Sequence, residues 1–131
     1  MANRFNVKLP ATRNPNESEV AAVHVKELAE KDYETEVMGA PIPVVLDFYA
    51  TDSKPCNALA PRYGAVAEKF AGKVRFLRVL HAAHPALAAR LGVAAAPTLV
   101  FFKAGQELGE RLSGQDIQRT ALKARVEALL A

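Results

Sequence analysis

Val44-Val45-Leu46-Asp47-Phe48-Tyr49-Ala50 runs directly into Thr51-Asp52-Ser53-Lys54-Pro55-Cys56, and this junction decides how the chain folds. A continuous apolar run broken by one acid is the pattern of a central strand buried on both faces. Pro55 suits the first turn of a helix and Ser53 suits its cap, after which Leu59, Tyr63, Val66, Ala67 and Phe70 return every three or four positions. The spacing predicts a long helix over residues 53–70, kinked at Pro61 and closed by Gly72. A buried strand feeding such a helix opens a crossover unit, whose parallel partner is expected at the apolar, β-branched residues 74–80.

Working outward, residues 20–25 read as a first strand, and 26–38 as a helix that presents Leu28, Tyr33, Val37 and Met38 before Gly39, Pro41 and Pro43 stop it. Beyond the crossover, residues 85–91 read as a short helix closed by Gly92. Residues 98–103 and 107–112 read as a hairpin about Ala104-Gly105, and 117–130 as an amphipathic terminal helix. The expected class is α/β: a central mixed sheet with helices on both faces. Residues 1–20 mix Asn3, Asn6, Asn14 and Asn16 with Pro10 and Pro15, and are expected to form an extended or partly disordered arm. Residues 21–131 are expected to form one domain.

The 131 residues suit a single core, and 50% hydrophobic with 24% charged residues is the balance of a globular chain. A net charge of +3 is too small to argue for nucleic acid. The charge is nevertheless segregated. Residues 21–52 carry two Lys against seven acids, whereas residues 53–78 carry six Lys and Arg against Glu68 alone. That imbalance implies an electropositive face, which either favours an acidic partner or is simply solvated. No apolar run reaches membrane-spanning length and residues 1–10 lack the core of a secretory signal, so the expectation is a cytoplasmic protein with no membrane association. Cys56 is the only cysteine, which excludes an internal disulfide, a cysteine-based zinc site and a two-thiol cycle within one chain. No phosphate loop or dinucleotide fingerprint is present, so no cofactor is expected. His81 and His84 lack an evident third ligand, and no metal is expected.

Several strings, taken in order from about His24 to the C-terminus, resemble the thioredoxin family. Tyr33-Glu34-Thr35-Glu36-Val37 is similar to the acidic first-helix segment, and Val45-Leu46-Asp47-Phe48-Tyr49-Ala50 to the strand entering the active site. Pro55-Cys56 with Ala60-Pro61 matches the start and kink of the active-site helix. Gly92-Val93 and Ala96-Pro97-Thr98-Leu99 resemble the cis-proline loop, and Phe102-Lys103-Ala104-Gly105 the hairpin that follows it. The resemblance implies a thioredoxin fold. Family members carry Trp-Cys-Gly-Pro-Cys where this chain reads Asp52-Ser53-Lys54-Pro55-Cys56. The attacking cysteine thus aligns with Ser53, and the resolving one with Cys56. The dithiol reaction does not carry over to an S-x-x-C site.

Three residues are candidates for surviving chemistry. Ser53 caps the helix or acts as a nucleophile, although no neighbouring base is evident in sequence. Cys56 lies in the first helical turn, whose dipole favours a thiolate while burial opposes it. It is either an inert structural cysteine or a monothiol that forms mixed disulfides. Asp47 resembles the family's buried acid, and burial alone raises its pKa. It either serves proton transfer or is satisfied by a neighbour such as Arg78, which aligns with the family's buried basic position.

The resemblance further implies that Ala96 and Pro97, expected to be cis, line a surface that pairs with an extended peptide. Lys54, Pro55, Gly105 and Gly114 are assigned to the same docking face. The resulting expectation is a non-dithiol member that binds a protein or peptide partner. The alternative is a monothiol redox protein or sensor that uses Cys56 in redox homeostasis.

Overall fold

A computed structural model of the chain describes residues 24–131. The arm expected at 1–20, and most of the strand expected at 20–25, lie outside the described residues. Within them, six strands form one sheet: β1 (Val25–Glu27), β2 (Val44–Tyr49), β3 (Arg75–Leu80), β4 (Thr98–Lys103), β5 (Gln106–Glu107) and β6 (Leu112–Ser113). The order is β1-β3-β2-β4-β5, with β6 also paired to β4. β3 runs parallel to β1 and β2, while β4 runs antiparallel to β2, β5 and β6, so the sheet is mixed as expected. Three helices complete the fold: α1 (Lys54–Lys69), α2 (Pro85–Leu91) and α3 (Arg119–Leu130).

β2 is central, and its alternation divides the core. Val45 packs with Leu59, Tyr63 and Val66 of α1 and with Leu122, Val126 and Leu129 of α3. Val44, Leu46 and Phe48 face the other layer, with Leu28, Tyr33 and Val37 and, from α2, Leu87 and Ala88. Because side chains alternate along a strand, Asp47 points with Val45 into the α1 and α3 layer. Each large aliphatic side chain taken from water into these layers stabilises the fold by roughly 1.5–3 kcal/mol. Tyr63 adds a directional tie, since its hydroxyl lies 3.1 Å from the Val45 carbonyl and 2.7 Å from that of Leu77, on adjacent strands.

Two local expectations are corrected. The helix expected over 26–38 is instead the edge strand β1 followed by two helical turns, Glu30–Asp32 and Glu34–Met38. Lys26 and Glu27 extend because β3 offers a parallel edge on which they pair with Leu77 and Arg78. The strand expected over 107–112 is broken into β5 and β6, with Gly109 at φ 79° between them. A side chain would be strained there.

Candidate functional site

The site forms where β2 ends and β4 begins, at one edge of the layered core. Ser53 is extended, with φ −111° and ψ 119°, and its Oγ accepts from the Cys56 backbone N–H at 3.3 Å. That bond satisfies one of the donors left free at a helix start and holds the hydroxyl in a capping role. Asp52 just before it adopts φ 55°, a left-handed conformation that Asp tolerates better than most residues. Cys56 is turned inward and only 6% exposed. Its Sγ accepts from the Ala50 backbone N–H at 3.3 Å, which ties the first turn of α1 to the end of β2.

Asp47 lies deeper, 4% exposed, and its Oδ1 has no hydrogen-bond partner. Burial pushes its pKa from 3.8 up to about 7, while the Arg78 charge pulls it down and that of Glu27 pushes it further up. The expected satisfaction of Asp47 by Arg78 is corrected here. The Arg78 guanidinium instead stacks 3.7 Å above the Tyr49 ring centroid, and the Tyr49 hydroxyl donates to Glu27 Oε2 at 2.9 Å. Burial and the Glu27 bond together raise the Tyr49 pKa to about 12, which keeps that hydroxyl a donor.

Beside the helix start lies an open groove of about 520 Å³, lined by Pro55, by residues 92–98, by Arg111 and by residues 113–115. The Ala96–Pro97 peptide is cis. Pro97 is buried, whereas Ala94 and Ala95 are exposed and present little more than backbone. Thr98 Oγ1 donates to the Ala95 carbonyl at 2.7 Å and closes the loop on itself. Of the residues assigned to docking, Pro55, Ala96, Pro97 and Gly114 line this groove. Lys54 is exposed on the first turn of α1 outside the lining. Gly105 is corrected: it sits in the β4–β5 turn at the opposite end of β4, where an added Cβ meets the Met38 carbonyl oxygen at 2.9 Å.

One residue that lines the groove was missed in the sequence. Arg111 forms a forked pair with Glu107, Nε at 2.8 Å and Nη2 at 3.0 Å from its two oxygens, and also donates to the carbonyls of Leu91 and Gly92. It therefore fixes the groove wall to β5. Read as one continuous strand, Glu107 and Arg111 lie too far apart to meet; only the break at Gly109 folds them together. His81 and His84 face the carbonyls of Val93 and Leu80, and among the described residues no three His, Cys, Asp or Glu side chains gather to hold a metal ion.

A family model described as Thioredoxin matches residues 24–128. The chain belongs to the thioredoxin family. Among curated relatives it is 30% identical over 110 residues to the chloroplastic thioredoxin M4 of Arabidopsis thaliana, covering 84% of this chain and 56% of that protein. It is also 30% identical over 134 residues to the chloroplastic thioredoxin X of the same plant, covering 98% of this chain and 73% of the relative. A thioredoxin of Haemophilus influenzae is 37% identical over 82 residues, with coverage of 63% and 77%. The chain thus spans little more than half the length of the M4 relative. No helix among the described residues is long and apolar enough to cross a membrane.

Proposed function

We propose that this thioredoxin-family chain is a non-dithiol binding protein, which docks an extended segment of a protein partner in the groove beside Pro97. The observation that carries the reading is the contrast between thiol and groove. The one cysteine is buried and hydrogen-bonded to Ala50, and Ser53, which the resemblance places where the family has its attacking cysteine, is engaged as a helix cap. The groove remains open, with exposed small residues at 94 and 95 along its wall. An extended peptide laid there makes main-chain bonds that need no thiol. A reducing, cytoplasmic setting suits a chain whose single thiol is held inside.

The test selects linear peptides from a display library and measures their affinity for two variants. Ala95→Arg fills the groove and should weaken binding at least tenfold, whereas Cys56→Ala should leave it within about twofold, a difference below the 1.4 kcal/mol of a tenfold change. Peptides that bind Ala95→Arg undiminished overturn the reading. So does reduction of insulin at a rate comparable with an ordinary thioredoxin. Loss of binding with folded Cys56→Ala, together with a glutathione adduct on native Cys56, favours the monothiol alternative.

A further inference from the structure

Part of the charge imbalance along the chain has a definite place in the fold. On the outer surface, between α1 and α3, two adjoining depressions of about 390 and 300 Å³ share Ala65, Arg119 and Thr120 and so form one open groove. Arg62 and Lys69 line it from α1, seven residues apart and therefore on one helical face. Arg119 and Lys123 line it from α3, one turn apart. The floor between them is Ala65 and the buried Val66. Arg62 is partly engaged, with Asp116 at 3.3 Å and the Ile117 carbonyl at 2.9 Å, and Lys123 lies 4.0 Å from Glu127. Among the described residues, Lys69 and Arg119 have no carboxylate within ion-pair reach. Gln118 makes no side-chain cap, so the positive end of the α3 backbone adds to the same field.

We propose that this groove docks an acidic segment of a partner protein, at a surface distinct from the Pro97 groove. The spacing suits it. Seven residues of helix rise about 10 Å, the reach of about three residues of an extended chain, so carboxylates at that interval on a peptide meet successive cations. A single-stranded nucleic acid fits less well, because no aromatic side chain lines the groove to stack a base.

Fluorescein-labelled octaglutamate, followed by fluorescence anisotropy, tests the proposal at about 25 and about 150 mM NaCl, where the screening length falls from about 20 to about 8 Å. The expected result is saturable binding that weakens at least threefold at the higher salt. The double variant Lys69→Glu/Arg119→Glu should weaken it at least tenfold. Lys31→Glu/Lys103→Glu makes the same change in net charge outside the groove and should alter affinity less than twofold. Ala95→Arg should bind the peptide no more weakly than the unaltered protein, which separates this surface from the peptide-docking reading. Absence of saturation, equal losses in the two charge reversals, or tighter binding of an oligothymidylate of equal charge would each overturn the proposal.

Discussion

Replacing Asp47 by Asn removes a buried titration and leaves the shape of the side chain almost unchanged. In the unfolded chain an aspartate releases its proton near 3.8, whereas burial holds the folded carboxyl protonated to about 7. Between those values the folded state binds a proton that the unfolded state does not, so stability falls as pH rises through the window. Below it both states are protonated and the term vanishes. Above it the full cost is present. A displacement of about 3 units at about 1.4 kcal/mol each amounts to ~4 kcal/mol. Asp47→Asn cannot titrate, and any fixed cost of its buried amide is the same at every pH. The stability of the variant minus that of the unaltered protein should therefore rise by ~4 kcal/mol from about pH 3.5 to about pH 8.5. With urea slopes of roughly 1–3 kcal/mol/M, the midpoints separate by about 2 M across the series. The assay is urea unfolding of both proteins in matched buffers. A flat difference curve, or one of opposite sign, would falsify the account of Asp47 as an unsolvated acid that Arg78 does not satisfy.

Two further outcomes follow from local geometry. Gly105→Ala places a methyl 2.9 Å from the Met38 carbonyl oxygen at a backbone φ of 77°, and thermal or urea unfolding should register a loss of at least about 1 kcal/mol, with peptide binding in the Pro97 groove unchanged. Ser53→Cys supplies a second thiol, yet insulin reduction should stay near the uncatalysed rate, because Asp52 and Lys54 put charged side chains where the family carries a large aromatic residue and a glycine; a turbidity assay reaching thioredoxin-like rates would refute this.

The parts of the fold that were legible in the sequence are those whose pattern is set by burial. The unbroken run at β2 and the three-to-four spacing along α1 survive intact, because both describe surfaces that contact the core. What escaped depends on partners distant in the chain. Lys26 and Glu27 look like the start of an amphipathic helix and become an edge strand only because β3 pairs with them. The resemblance offers Arg78 as a neighbour that satisfies Asp47, but Tyr49, two residues along β2, takes its guanidinium. Local geometry was legible at Ser53 and Pro97, where residue type dictates the helix cap and the cis peptide. Arg111 was not, since its four contacts go to two separate segments, Glu107 and residues 91–92.

The fork from Arg111 to Glu107 and to the carbonyls of Leu91 and Gly92 has a thermodynamic consequence for any guest. A recognition loop free to wander must be ordered at the moment of association, at about 0.5–1.5 kcal/mol for each immobilised rotamer-rich side chain. Here one guanidinium has already spent that ordering during folding, and the alanines beyond it have no rotamers to lose. If the proposed docking holds, the entropic burden of complex formation falls mainly on the visiting peptide, and a peptide stiffened in an extended shape gains affinity without a single new contact.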